Sequence, residues 1–177
     1  MADSSHPMMM ALETERLRLE PLSEQDLPAV LEIFLSNPRY LAWTEGGEYD
    51  LERLQLDWHV AEQEPARHML GLREKETGVL LGSLEYLELN ERDGHPWIGL
   101  IIVGGSRQRE GFAAEAMSAV MERLFLGWAT PVRLGVIADN DPGMRLALSL
   151  GFTPYGRAEM RMAEGMEELV LLERRDY

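Results

Sequence analysis

Residues 98–116 combine a short apolar run, a glycine loop and an amphipathic segment. The run 98–103 is rich in β-branched residues, which predicts a buried strand. Gly104, Gly105 and Gly111 follow, and beyond them apolar residues recur at helical spacing. A strand, a glycine loop and a helix in this order direct free backbone N–H groups at one spot. The stretch therefore predicts an anion site, most often a phosphate site.

Two common phosphate-binding motifs do not fit this loop. A Walker A loop needs a lysine followed by serine or threonine, but the single lysine of the chain is Lys75, far upstream. The dinucleotide fingerprint needs Gly-x-Gly-x-x-Gly at the start of the helix, and this spacing is absent. The loop instead has the form Gln/Arg-x-x-Gly-x-Gly/Ala, with Gln108, Gly111 and Ala113 at the defined positions.

The segment Gln108-Arg109-Glu110-Gly111-Phe112-Ala113 resembles the acetyl-CoA pyrophosphate loop of the GNAT acyltransferase superfamily. The longer sequence from Ile98-Gly99 to Glu115-Ala116 resembles the Rim-type branch of this superfamily, which is related to the ribosomal-protein N-terminal acetyltransferases. This resemblance implies acetyl-CoA as co-substrate. It also implies that the six residues bind the cofactor: Gln108, Arg109, Glu110, Gly111, Phe112 and Ala113. We interpret Glu115 as a structural residue of the helix.

The resemblance covers nearly the whole chain and implies a fold. The phrase Thr14-x-Arg16-Leu17-x-Leu19 resembles the opening strand of Rim-type enzymes. We expect an α/β (α+β) fold, a single GNAT-like domain over residues 12–177. Its sheet is expected to be mixed and mostly antiparallel, with helices on both faces. Residues 1–11 are expected to form a disordered tail.

Periodicity and capping residues predict the individual elements. Asp26, Asp50 and Asp141 are expected to cap helices, the first running to about residue 35 and the last ending before Gly151. Residues 37–50, with Asn37-Pro38 as a breaker, are expected to be a connection. Strands are expected at 14–22, 68–72, 79–89, 97–103, 132–138, 155–162 and 168–173.

Asn140 opens the second phrase of the resemblance. The sequence Asn140-x-x-Gly143, followed by Leu150-Gly151-Phe152, resembles the family's motifs Asn-x-x-Ser/Ala and Leu/Cys-Gly-Phe. The resemblance implies that Asn140 helps to hold the pantetheine arm of the cofactor. The alternative is that Asn140 is a second capping residue.

The resemblance leaves the catalytic groups open. It implies that a backbone N–H near Val103 polarises the acyl carbonyl. Many members carry a glutamate base on the strand before the loop, but Trp97, Leu100 and Ile102 leave no carboxylate there. Many also carry a tyrosine acid four residues before the Gly-Phe pair, where this chain has Ala147.

Glu85 on the preceding strand is the nearest substitute for the base by strand adjacency. It alternates with Ser83 and Leu87, opposite Leu84 and Tyr86. The alternative is an exposed strand residue without a catalytic role. Because the chain contains no cysteine, direct attack by the amine is favoured over a covalent thiol relay.

The connection 37–50 is expected to form part of the acceptor mouth. Carboxylates and aromatic side chains there could hold an amine through charge and cation–π contacts. The alternative is an acidic solvated loop. The acceptor is a small-molecule amine or a protein N-terminus, and a homodimer is compatible with the resemblance. The candidate residues are Trp43, Glu45, Glu48, Tyr49 and Asp50.

Charge and composition exclude several other functions. The net charge of −14 argues against nucleic acid, whose phosphates would be repelled. No apolar run approaches the ~20 residues that span a bilayer, so we expect no membrane association. No histidine pair has a metal-ligand spacing, and without cysteine the cytoplasm is the expected location. Two other functions stay open: a catalytically silent CoA-binding module and a nucleotide-binding regulator.

Overall fold

The computed structural model describes residues 11–127, 131–163 and 165–175, which build an eight-stranded sheet and five α-helices. The predicted tail lies outside the described residues, apart from Ala11. The strands are β1 Leu12–Glu13, β2 Leu17–Pro21, β3 Arg67–Glu74, β4 Leu80–Asn90, β5 His95–Val103, β6 Val132–Ile137, β7 Thr153–Met162 and β8 Gly165–Arg174. The helices are α1 Leu27–Leu35, α2 Pro38–Glu45, α3 Leu51–Glu62, α4 Phe112–Gly127 and α5 Asp141–Ser149.

The sheet has the order β1-β2-β3-β4-β5-β6-β8-β7. Among the described strands, β5 and β6 form the parallel pair, and the other neighbours are antiparallel. Apolar residues of α4 and α5 pack on one face, and those of α1, α2 and α3 pack on the other. The prediction of a mixed, mostly antiparallel sheet with helices on both faces is confirmed.

Helix α4 forms because its apolar residues fall on one face. Their three- and four-residue steps place them in a stripe that lies against the strands. Phe152, which follows α5, packs into the same cluster. The buried stripe of α4 contains Phe112, Ala116, Met117, Val120, Met121 and Leu124.

The structure corrects the prediction for residues 37–50, because part of this connection is the helix α2. Pro38 occupies the first helical position, where its missing N–H has no helical partner to lose. The helix ends at Gly46, whose φ of +71° is the left-handed conformation that glycine adopts readily. Asn37-Pro38 therefore starts a helix rather than preventing one.

The start of α5 also differs from the prediction. Asn140, not Asp141, is the N-cap, because its side-chain Oδ1 accepts a hydrogen bond from the Gly143 N–H at 3.0 Å. Gly151 follows the helix with φ +82°, as predicted. The first strand was also predicted too long, since the chain turns between β1 and β2, where the Thr14 N–H donates to the Leu17 carbonyl.

Glu115 joins the start of the chain to α4. Its carboxylate accepts hydrogen bonds from Thr14 Oγ1 at 2.5 Å and from the Arg16 backbone N–H at 2.8 Å. It also pairs with the Arg16 guanidinium at 2.8 Å. Burial alone would raise the pKa of Glu115, but the hydrogen bonds from Thr14 and Arg16 outweigh it and hold the pKa below its usual value. The structural role predicted for Glu115 agrees with these contacts.

We predict that Glu115→Gln lowers the free energy of unfolding by about 1–3 kcal/mol at pH 7, because the charge-assisted bonds are lost. A carboxylate with a lowered folded-state pKa stabilises the fold above its unfolded pKa of about 4.3, and this stabilisation is lost as pH falls through the folded pKa. Urea unfolding at pH 7 and at about pH 3.5 should therefore show the difference shrinking in acid.

Glu122→Gln is the matched control, because Glu122 is exposed on the same helix. It should leave the unfolding free energy nearly unchanged at both pH values. An equal loss in the two variants, or a Glu115→Gln effect that persists in acid, would contradict the role assigned to the Glu115 contacts.

Candidate active site

Strands β5 and β6 pair briefly and then separate. Their register contains two pairs, Trp97 with Arg133 and Ile98 with Leu134. Beyond these positions β5 stays paired with β4 on its other side, and β6 stays paired with β8. The carboxyl-terminal halves of β5 and β6 therefore leave a wedge between two strands of the sheet.

The edge of β5 that faces the wedge carries backbone donors. The Gly104 N–H donates to the Leu81 carbonyl on β4 at 2.8 Å. Because successive backbone amides of a strand point to opposite edges, the Val103 and Ile101 N–H groups point away from β4. They face the wedge, which agrees with the donor expected near Val103.

The Val103 carbonyl anchors the loop that follows β5. It accepts hydrogen bonds from the Asn37 side-chain amide and from Gln108 Nε2, both at 3.1 Å. Gln108 Nε2 also donates to Asn37 Oδ1. The Gln108 side chain is thus occupied by protein partners, so it positions the loop instead of presenting a free donor to a ligand.

Two backbone positions in this loop have positive φ. Arg109 has φ +66° and Gly111 has φ +88°. At Gly111 a Cβ would be strained and would lie 3.3 Å from the Arg16 guanidinium. The Gly105 N–H donates to Ser36 Oγ at 2.9 Å, so the end of α1 also holds the loop.

The first turn of α4 supplies a second group of donors. The Glu115 N–H donates to the Gly111 carbonyl at 3.0 Å, which is where helical hydrogen bonding begins. The N–H groups of Phe112, Ala113 and Ala114 precede it and have no carbonyl partner within the helix. Together with the helix dipole they can bind an anion at this point.

The positive charges around the loop are mostly neutralised within the protein. Arg107 pairs with Glu74 at 2.8 Å and with Glu110 at 3.1 Å. The guanidinium groups of Arg107 and Arg16 lie 5.0 and 4.3 Å from the centre of the Phe112 ring. Within the described part of the chain, Arg109 makes no ion pair. Arg109 is therefore the loop arginine with its charge available to a ligand.

Asn140 lies just beyond β6, at the open end of the wedge. Its Oδ1 accepts the capping bond described above, so the capping role is confirmed, although Asn140 is the N-cap itself and not a second cap beside Asp141. Its Nδ2 makes no hydrogen bond to the residues that the structure describes. The capping role therefore leaves a donor that a ligand in the wedge can use.

Glu85 lies on the sheet face that carries α1 and α3, next to the wedge. Its carboxylate binds the Arg67 guanidinium at 2.6 Å, and 18% of its side chain is exposed. A Cβ on Gly99 would lie 2.7 Å from Glu85 Oε1, so the carboxylate lies directly over the β5 backbone where the wedge opens. The Glu85 side chain is therefore mostly buried and not exposed as the alternative had it, while its role as the base stays a prediction.

Burial raises the pKa of the Glu85 carboxyl above its usual value, and the Arg67 guanidinium opposes this change without cancelling it. A carboxylate with a raised pKa is a stronger base near neutral pH than an exposed one. Arg67 is a residue that sequence reasoning missed. It lies next to the predicted strand 68–72, and only the strand register reveals its contact with Glu85.

Helix α2 crosses the wedge on the same face as Glu85. Asn37, before its first turn, binds the end of β5 through the Val103 carbonyl. Arg39 donates to the Asp139 carbonyl beyond β6 at 3.0 Å. At the other end of the helix, Gly46 approaches the tip of the β7–β8 hairpin. A Cβ added at Gly46 would lie 3.5 Å from the Cβ of Ala163.

An open depression of about 410 Å³ lies between the end of α2 and this hairpin. Glu45 and Glu48 line it, together with Arg53 and Arg161. Burial and the nearby Asp57 charge raise the pKa of the Glu45 carboxyl. Two of the five predicted mouth residues are therefore at this depression.

The other three predicted mouth residues are engaged elsewhere. The Tyr49 hydroxyl donates to Asp57 at 2.9 Å, and Asp50 caps α3 by accepting the Arg53 N–H at 2.9 Å. The Arg39 guanidinium lies over the Trp43 ring, 4.7 Å from the ring centre. One face of the Trp43 ring is therefore already occupied by a cation of the protein.

Two absences hold for the residues that the structure describes. These residues include no group of three or more histidine, aspartate or glutamate side chains that could hold a metal ion. None of the described helices has the length and apolar character needed to cross a bilayer.

The chain matches a family model, a relative in Bacillus subtilis and several solved structures. The model of the acetyltransferase (GNAT) domain matches residues 16–153. The uncharacterized N-acetyltransferase YoaA of Bacillus subtilis is 30% identical over 155 residues, which is 84% of this chain and 86% of YoaA.

Solved structures share the fold at low sequence identity. The ribosomal-protein-S5-alanine acetyltransferase of Vibrio fischeri is 14% identical with a TM-score of 0.73, over 94% of this chain and 97% of that one. The spermidine N-acetyltransferase of Vibrio cholerae, solved with CoA and spermine, is 18% identical with a TM-score of 0.72. It aligns over 90% of this chain and 95% of its own.

We predict that Gly111→Val weakens CoA binding by more than about a hundredfold in titration calorimetry. A branched side chain there would block the approach of a phosphate to the loop amides, and each charge-assisted bond contributes about 1.5–3 kcal/mol. Gly94→Val is the matched control, because Gly94 also has a positive φ, +71°, and has open space around it. Both variants should lose some stability, but tight CoA binding by folded Gly111→Val would place the phosphates elsewhere.

Proposed function

The chain belongs to the GNAT acetyltransferase family, and from this premise we propose that its acceptor is the N-terminal amine of a polypeptide. As a member of the family it transfers an acetyl group from acetyl-CoA to an amine. The observation that carries the transfer chemistry is the wedge between β5 and β6, which has backbone donors along one edge and the Glu85 carboxylate at its opening. The acceptor class rests on the charges and the amine pKa discussed below.

The cofactor is proposed to bind from the side of α4. The pyrophosphate would accept hydrogen bonds from loop and helix amides between Arg109 and Ala114, with the Arg109 guanidinium as counter-charge. Glu110 contributes its backbone alone, since its carboxylate is paired with Arg107. The pantetheine arm would then lie in the wedge, between β5 and the Asn140 side chain.

The acceptor is proposed to enter from the opposite face, beside α2. The amine nitrogen attacks the acetyl carbonyl carbon, a C–N bond forms, the C–S bond breaks and CoA leaves as its thiolate. The Ile101 N–H group stabilises the negative charge that develops on the carbonyl oxygen. The Val103 N–H group lies about 7 Å further along the strand and is left for an amide of the pantetheine arm. The proton lost by the amine goes to Glu85.

A short chain of water molecules is proposed to carry that proton. Glu85 lies over Gly99, and two residues of extended strand separate Gly99 from Ile101, a distance of about 7 Å. This distance exceeds both a direct hydrogen bond and a single bridging water, but it suits a chain of about two waters. Direct transfer without an acyl-enzyme agrees with the absence of cysteine.

Two physical arguments favour a protein N-terminus over a polyamine. The depression at the end of α2 is lined by Arg53 and Arg161 as well as by Glu45 and Glu48, and Arg53 lies 3.9 Å from the Glu45 carboxylate, so a multiply charged cation gains little there. An α-amine also has a pKa about 2.5 units below that of an alkyl amine, which makes its deprotonation easier by about 3.4 kcal/mol. A carboxylate tied to Arg67 suits the less basic amine.

We propose the cytoplasm as the place of action, because a reducing compartment keeps the CoA thiol free. The homodimer stays a prediction of the sequence.

Glu85→Gln should lower kcat/KM by about 10²–10⁴ at pH 7, while CoA affinity stays unchanged. Glu85 must be deprotonated to accept a proton, and its pKa is raised, so wild-type activity should fall in acid at a pH above the usual glutamate range. That acid limb should disappear in Glu85→Gln, and activity should partly recover at high pH. An unchanged pH–rate profile would eliminate Glu85 as the base.

Two further variants sharpen this test. Gly99→Ala must displace the Glu85 carboxylate, so it should reduce kcat/KM in the wild type but add no further loss in Glu85→Gln. Glu64→Gln is the control, because Glu64 also pairs with Arg67, at 2.9 Å, but lies outside the site. It should leave kcat/KM within about fivefold of the wild type.

A panel of acceptors tests the proposed class. Short peptides with free N-termini should be acetylated with kcat/KM at least about tenfold above spermidine at pH 7, because their amines are easier to deprotonate. The same peptides with a blocked N-terminus and one lysine are the control for a side-chain acceptor. A preference for spermidine or for lysine would overturn the proposed class and leave the acetyl-CoA chemistry intact.

A further inference from the structure

Tyr40 lies on α2 where the helix crosses the wedge. One turn before it, Asn37 binds the Val103 carbonyl at the end of β5. The Tyr40 ring packs against Phe34 of α1 with ring centres 5.9 Å apart. It belongs to the apolar cluster that includes Leu100 and Ile102 of β5. Packing against α1 therefore holds the Tyr40 ring on the face of the sheet from which the acceptor is proposed to enter.

The Tyr40 hydroxyl lacks a protein partner among the described residues. It is also absent from the fully buried side-chain atoms without a hydrogen bond, which in the described part are His68 Nε2 and His95 Nδ1. The hydroxyl thus reaches solvent at the end of a partly buried ring. Because it reaches solvent and has no partner among the described residues, the hydroxyl is open to a ligand.

Tyr49 provides a direct comparison. It packs on the same Phe34 ring, with centres 5.5 Å apart, but its hydroxyl donates to Asp57 at 2.9 Å. The two tyrosines share one aromatic support and differ in what their hydroxyl groups bind. The missing partner of Tyr40 is therefore not a general property of tyrosines in this cluster.

The charges around Tyr40 decide what its hydroxyl can do. Burial, followed by the carboxylates of Glu85 and Glu45, raises the pKa of Tyr40 far above its usual range. A phenol of this kind stays neutral and is a poor proton donor to a thiolate, whose pKa is near ~8.5. Tyr40 therefore does not replace the tyrosine acid that many family members carry at the position of Ala147. It can still accept a hydrogen bond from an amine that lies between it and the carboxylates.

We infer that the Tyr40 hydroxyl binds the acceptor: it accepts a hydrogen bond from the amine and holds the nitrogen beside the Glu85 carboxylate. This inference rests on the proposed function of Glu85. Tyr40 lies beside β5 on the face from which the acceptor enters, so it contacts the acceptor without contacting CoA. Its hydroxyl sets the affinity for the amine and leaves the proton transfer to Glu85.

Tyr40→Phe tests this role, because it removes one oxygen and keeps the ring against Phe34. KM for the acceptor should rise about tenfold to a hundredfold, as expected for a hydrogen bond to a charged group. KM for acetyl-CoA, the pH of the acid limb and the melting temperature should stay close to the wild-type values. Tyr49→Phe, which loses the hydroxyl bound to Asp57, should leave the acceptor KM unchanged.

Three results would overturn the inference: an unchanged acceptor KM in Tyr40→Phe, the same increase in Tyr49→Phe, or a shifted acid limb in Tyr40→Phe. Failure of the proposed function is recognised separately. If Glu85→Gln keeps the wild-type pH profile, Glu85 is not the base, while the Tyr40→Phe effect on acceptor KM still decides whether Tyr40 binds the amine.

Discussion

The separation of β5 from β6 is the constraint on which the rest of the structure depends. Two strands that pair at two positions and then part leave backbone donors of Ile101 and Val103 without a neighbouring strand. Such groups need water or a ligand as partner, because an unpaired backbone N–H in the interior is costly. A wedge in a sheet is therefore at once a local weakness and a place where a narrow, amide-containing ligand can complete the hydrogen bonding of the strand.

The contacts that hold the wedge open come from outside the two strands. Asn37 and Arg39 connect α2 to both sides of it, and Gln108 returns the loop onto the end of β5. Glu115 fixes the start of α4 to the segment before β2. The contacts of Asn37, Arg39 and Glu115 join residues far apart in sequence, so the shape of the wedge depends on the assembled domain.

Local signals identified most of the fold and the position of the loop in the candidate site. Periodicity located the strands and α4, and the Gln108–Ala113 wording located the loop that the structure places at the start of α4. Helix α2 was missed because proline after asparagine is typical of a break, although proline is equally suited to the first helical position. The contacts of Glu85 with Arg67 and of Gln108 with Asn37 could not be predicted, because they depend on strand register and on the missed helix.

The neutralised arginines around Phe112 have a consequence for the kinetics of cofactor binding. Since Arg16 and Arg107 are paired with carboxylates, an anionic cofactor approaches a molecule of net charge −14 with little long-range attraction. Added salt then screens repulsion instead of attraction, so the association rate should rise with ionic strength over the first ~0.1 M. The same repulsion favours departure of the spent anion once the short-range backbone bonds break. An acidic protein that holds an anion by backbone dipoles can therefore exchange it rapidly between turnovers.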